Sequence, residues 1–251
     1  MDHVTRCDHL ADELITLEAA IRAADPQAPV PTCPGWSVRK LTAHVGAVHR
    51  WAEATVASSS PTRLDMRSID LELPARDGGA ESWADWIAGG GAKLLATLRA
   101  CDPTAAAWSW AEEQTAGWWL RRQLHETVIH RIDAQHVAGP VSPVDPLVAV
   151  DGIDEHLSNI KASATFSPEV AVLRGEGSLH LHATDVEGEW MIELGPDGFE
   201  ISHGHGKGTV AARGRAEDLL AAVYQRGPVD RLEVFGDAEL LDWWIINSAL
   251  Q

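Results

Sequence analysis

The chain has 251 residues, 45% of them hydrophobic, enough for one large domain or two small ones with packed cores. Its 37 acidic residues against 20 basic ones give a formal charge of -17, a field that repels nucleic acid and anionic membrane, so neither is expected as a partner. No apolar run approaches the roughly 20 residues of a membrane span, and the first ten residues lack a signal-peptide core. Cys7, Cys33 and Cys101 are scattered without CxxC spacing, which points to a reducing, cytoplasmic setting.

Leu10, Leu14, Leu17 and Ile21 recur at helical spacing, so residues 5–24 read as an amphipathic helix. Pro26, Pro29, Pro31 and Pro34 then impose an extended loop. A second helix is expected over 38–58 and a third over 81–100. The third is read as a helix despite Gly89-Gly90-Gly91, which cost about 1 kcal/mol each against alanine and leave room for a break or kink there. A fourth helix over 117–137 is ended by Gly139-Pro140. Three prolines within 140–146 mark a linker between a domain at 1–139 and another at 147–251. The second domain starts with a helix at 147–162. Short alternating strands follow at 178–183, 189–194, 199–203 and 209–212. A helix at 215–225, a strand at 232–235 and a helix at 237–249 complete it. The expected class is α+β in two domains, a helical bundle followed by a small α+β unit.

The residues that carry chemistry are split along the chain. His44 shares a face of the second helix with Leu41, Val45 and Val48, in a place that would otherwise be core. Glu126 and His130 are four apart on the fourth helix and project from one face. Two histidines and a carboxylate make a facial metal set with positions left open for water or substrate. On a helical wheel Leu120, Leu124, Val128, Ile129 and Ile132 form an apolar face. Trp119, Glu126, His130, Asp133 and Val137 form a separate stripe that suits a cleft wall. The same spacing also fits a core histidine and a surface Glu–His pair worth about 0.2–0.5 kcal/mol.

Other histidines are set aside on geometry. His125 and His130 are five apart, so they point roughly 140° apart and cannot share one zinc as the HExxH motif does. His49 is likewise five from His44 and is expected beside the cleft, not as a ligand. His180 and His182 share a strand face, and His203-Gly204-His205 sits in a glycine-rich turn. With no carboxylate or cysteine at diagnostic spacing, these are expected to be structural or surface residues.

Three runs in the first half resemble the mycothiol-dependent maleylpyruvate isomerase family. They are Thr32-Cys33-Pro34-Gly35-Trp36-Ser37-Val38, Leu41-Thr42-Ala43-His44-Val45-Gly46 and Val48-His49-Arg50-Trp51. So do Trp119-Leu120-Arg121-Arg122, His125-Glu126, His130-Arg131 and Asp133. The resemblance extends more weakly through Asp151-Gly152 and Glu155-His156-Leu157 to Arg226. It implies a DinB-like metal-binding four-helix bundle and a sterol-carrier-like α+β domain. It also implies His44, Glu126 and His130 as ligands of Zn2+ or another divalent transition metal. The cosubstrate would be mycothiol, a low-molecular-weight thiol activated as a metal-bound thiolate to attack a small electrophile. Addition to maleylpyruvate, bond rotation and elimination would give fumarylpyruvate; transfer to another electrophile would leave a thioether.

Arginine forks suit carboxylates, and Arg50, Arg122, Arg131 and Arg226 are the candidates. Arg226 follows a helix after which the family places an arginine that reaches the interdomain cleft. Arg226 and His49 are therefore the expected catalytic side chains, with Trp36, Arg50 and Arg122 as the expected contacts to the thiol. Trp36, Trp51, Trp118 and Trp119 are expected either to line the electrophile pocket or to fill the bundle core. The competing reading is a ligand-binding or regulatory protein whose metal is structural.

Overall fold

Helix starts in the first half are set by short polar side chains. In the computed structural model, which describes residues 1–163 and 168–248, Asp2 caps helix α1 (His3–Ala23) by accepting the Thr5 amide. Ser37 accepts from Lys40 ahead of α2 (Val38–Ala57), and Thr115 accepts from Trp118 ahead of α4 (Ala116–Ala138). Each cap satisfies an amide that the first turn leaves without a helical partner. α3 (Ala80–Ala100) starts after Gly79 and runs unbroken through the three glycines, in agreement with the helix expected over 81–100. A Cβ on Gly90 would lie 2.3 Å from the Arg50 guanidinium, and one on Gly91 2.7 Å from Leu14. The glycines are therefore where α3 closes on its two neighbours, and packing offsets their poor propensity.

α1 packs on α3 and α4, and α2 packs on the same pair, which makes a four-helix bundle. Leu17, Ile21, Val38, Leu41, Val45, Trp83 and Ile87 fill its core. The chain divides into two compact units, Met1–Ser142 and Pro143–Gln251, at a point within the proline-rich segment 140–146.

The second unit begins with α5 (Pro146–Ser163) and carries strands β1 (Ser178–Ala183), β2 (Glu189–Gly195), β3 (Gly198–His203), β4 (Val210–Gly214) and β5 (Glu233–Gly236). They form one sheet in the order β3-β2-β1-β4-β5, antiparallel except for the β1–β4 pair. α6 (Ala216–Val223) and α7 (Ala238–Asn247) pack against it. The face holding Leu179, Leu181, Trp190, Ile192, Val210 and Ala212 is buried. Residue 249, expected at the end of the last helix, lies outside the described residues. Among the described residues no helix is long and apolar enough to cross a membrane.

Candidate metal centre

α2 and α4 are neighbours, and their contact brings His44 to Glu126 and His130. Nε2 of His44 lies 3.2 Å from Glu126 Oε1, and Nε2 of His130 lies 3.3 Å from the same oxygen. One donor atom from each of the three residues falls within 4.8 Å of the other two. Tetrahedral zinc with bonds of about 2.0–2.1 Å has ligand atoms about 3.3–3.4 Å apart, so this donor set has the chemistry and the spacing for such an ion. The His44 side chain is 40% exposed, against 16% for Glu126 and 11% for His130. Access to the donor set is therefore from the His44 side.

The surrounding shell fixes the orientation of each donor. His130 Nδ1 lies 2.8 Å from Asp133 Oδ2, and the fully buried Asp133 carboxylate also accepts from the Thr32 hydroxyl and the Cys33 thiol. With Nδ1 bonded to Asp133, Nε2 is the nitrogen that faces Glu126 and His44, the usual second-sphere device for a metal-binding imidazole. Cys33, His130 and Asp133 form another group of donors close enough for an ion. Its members are already hydrogen-bonded to one another, at 2.8 and 3.2 Å, so it reads as the support of His130. Arg122 donates to Glu126 Oε2 at 2.9 Å and leaves Oε1 to the histidines. Burial raises the Glu126 pKa, but hydrogen bonds from His130 and His44 and the charges of His130 and Arg122 outweigh it, holding the carboxyl well below its usual range. Burial likewise lowers that of His130, yet its bonds to Asp133, Cys33 and Glu126 lift it well above the usual imidazole value.

The loop before α2 closes the site on one side. Trp36 N–H donates to Cys33 O across Pro34-Gly35, with Gly35 at φ +79°, as a type II turn requires at its third position. That turn sets Cys33 on Asp133 and lays Trp36 against the two histidines. Its ring meets His44 edge-on at 4.9 Å and stacks near His130 at 6.3 Å.

Several expected site residues are engaged by other partners. Arg50 is six residues past His44, a turn of roughly 120° away around the helix, and it stacks on Trp86 of α3 at 4.0 Å while donating to the Gly46 and Trp86 carbonyls. His49 is wholly buried, with Nε2 at 3.0 Å from Thr127 Oγ1 and Nδ1 without a hydrogen-bond partner. Burial drives its pKa down to about 4. Arg131 is buried on Glu13 of α1 at 2.7 Å and also holds Ser142 O. Trp51, Trp118 and Trp119 form an aromatic cluster with Trp108 and Trp110, and Trp119 Nε1 donates to Trp108 O. Trp119 is thus core, not cleft wall, because it sits two turns from Glu126 against the loop leading into α4. Val137 packs on the bundle core. Arg226 follows α6 and donates to Tyr224 O at 2.8 Å within the second unit.

On the sheet, the structure supplies a partner that spacing did not reveal. Glu189 stands opposite His182 in the β1–β2 register and accepts from His180 and His205. Cross-strand pairing, invisible in linear spacing, puts them together. His203 instead bonds Asp154 of α5.

Residues 7–135 match the family domain described as the mycothiol maleylpyruvate isomerase N-terminal domain, and residues 148–242 match its C-terminal counterpart, the MDMPI C-terminal domain. Two solved structures share the fold. A histidine-to-alanine mutant of mycothiol-dependent maleylpyruvate isomerase has a TM-score of 0.64 at 12% identity. The isomerase itself has a TM-score of 0.61 at 13% identity, and each alignment covers 93% of both chains. No curated protein sequence matches significantly.

Proposed function

Because this chain belongs to the mycothiol maleylpyruvate isomerase family, we propose that it is a metal-dependent enzyme that adds the sulfur of mycothiol to a small electrophile. The observation that carries this reading is the convergence of His44, Glu126 and His130 donors within 4.8 Å of one another, reached from the exposed His44 side. A divalent ion held there, zinc by ligand type, supplies the positive charge that keeps a thiol deprotonated near neutral pH. The chain's own residues do the rest. Asp133 orients His130, Arg122 holds Glu126 by its other oxygen, and Trp36 shields one side of the histidine pair from water. His49 acts as a positioning residue, tying α2 to Thr127 next to Glu126.

The chemistry begins with a C–S bond. The electrophile's double bond opens, and its electron pair goes to the adjacent carbonyl as an enolate. In isomerisation the new single bond rotates, the enolate re-forms the double bond and the thiol leaves. In S-transfer the enolate takes a proton and the thioether is released. Both fit the donor set. The arginine placement favours S-transfer to a weakly charged electrophile. Arg50 is held on Trp86, Arg131 on Glu13 and Arg122 on Glu126, so three of the four candidate carboxylate forks are engaged in the bundle itself.

The test is an assay of metal-loaded protein with mycothiol and either maleylpyruvate or a panel of neutral electrophiles. Thiol-dependent thioether formation supports transfer and fumarylpyruvate supports isomerisation. Neither product, with mycothiol affinity unchanged by His44→Ala, would leave a non-catalytic binding protein as the better account.

A further inference from the structure

The open face of the β-sheet carries a cluster that the bundle chemistry does not use. His180 and His182 are two apart on β1 and so share a face, opposite the one that buries Leu179 and Leu181. Glu189 lies across from His182 on β2, and the glycine-rich turn after β3 returns His205 over the same face. Glu189 Oε2 sits 2.9 Å from His180 Nε2 and 3.0 Å from His205 Nδ1, and Oε1 sits 3.9 Å from His182 Nε2. The rings of His180 and His205 meet edge-on at 5.3 Å. One donor atom from each of the four residues lies within 4.8 Å of all the others.

We infer that His180, His182, Glu189 and His205 form a second cation site, for a divalent first-row transition ion with zinc as the default. Three imidazoles and a carboxylate are the ligand types such ions prefer. The three Glu189–histidine separations, 2.9 to 3.9 Å, bracket the about 3.3–3.4 Å expected between tetrahedral zinc ligands, and all the donor atoms lie within 4.8 Å of one another. Hydrogen bonding alone accounts for His180 and His205 but not for His182, which is turned toward the same carboxylate at 3.9 Å, beyond bonding distance. Arg213 is paired with His182 in the β1–β4 register, and its guanidinium lies 3.9 Å from Glu233, which offsets its repulsion of a cation. Four protein ligands fill a tetrahedral ion and leave no open position, unlike the three of the bundle. The sheet site is therefore structural: it ties the turn at 204–208 to β1 and β2. The 80% exposure of His205 against 5% for His180 makes the turn side the route of entry.

The experiment counts zinc on the full-length chain. Metal-free protein is dialysed against buffered zinc, and bound metal is measured by mass spectrometry for the wild type, the sheet variant His180→Ala/His205→Ala and the bundle variant His44→Ala/His130→Ala. We expect about two ions per chain in the wild type and about one in each variant. X-ray absorption of the bundle variant should show zinc with a mixed nitrogen and oxygen shell and the outer scattering of several imidazoles. A folded bundle variant that holds no zinc, or a sheet variant that holds as much as the wild type, overturns this inference. A single ion lost only from the sheet variant supports it and overturns the bundle reading instead. If the double sheet variant fails to fold, His205→Ala in the exposed turn replaces it, and zinc retention unchanged by that substitution counts against the site.

Discussion

Asp133 is the residue whose importance linear spacing understated. It lies on the same stripe of α4 as Glu126 and His130, three residues past the histidine, but its carboxylate is fully buried and serves to aim that ring. Asp133→Asn should lower zinc affinity about 10- to 100-fold with the fold retained, as loss of such second-sphere partners does. Chelator competition measures it, and an unchanged affinity would remove Asp133 from the account. His49 makes a different prediction. Its folded pKa is pushed by burial to about 4 from an ordinary value of 6.5, so the unfolded chain takes up a proton first as pH falls. The neutral ring carries no penalty above pH 6.5, and stability is lost progressively down to about 4. The full loss is about 3 kcal/mol. Urea unfolding at a series of pH values should show this slope, and His49→Gln should flatten it.

At the scale of elements, periodicity located the helices and strands because most have one buried face and one wet face. Gly89-Gly90-Gly91 has poor local propensity, yet α3 is continuous because Arg50 and Leu14 occupy the space a side chain would fill. The stripe on α4 was legible at Glu126 and His130, whose spacing on one helix is local. Its end at Trp119 was not, since the loop that carries Trp108 and Trp110 decides that side chain's surroundings. Arg131 is one of four candidate carboxylate forks by sequence, and nothing on its own helix marks Glu13 as its partner. Removing that guanidinium leaves a carboxylate facing the bundle interior, so Arg131→Ala should cost about 3 kcal/mol in urea unfolding. Metal content at low denaturant should be retained. A loss of metal with unchanged stability would return Arg131 to the site. Glu189 shows the same limit on the sheet, where register alone sets it opposite His182.

For the whole molecule, the net charge of -17 acts on any anionic reactant approaching the bundle. If maleylpyruvate is turned over, its kcat/KM should rise as salt is raised to about 0.15 M, where the screening length falls to about 8 Å, while a neutral electrophile should be unaffected. Stopped-flow or initial-rate measurements over that range decide it, and a fall with salt would point to local cationic steering strong enough to overcome the net field. On the proposed chemistry, thiol capture depends on the His44–Glu126–His130 cluster. Calorimetric titration of mycothiol tests it most directly, using zinc-loaded wild type, chelator-treated wild type and zinc-equilibrated His44→Ala. Tight binding with proton release is expected in the first, weak binding in the other two, and recovery when zinc is returned to the chelated protein. Equal mycothiol affinity in all three would contradict it.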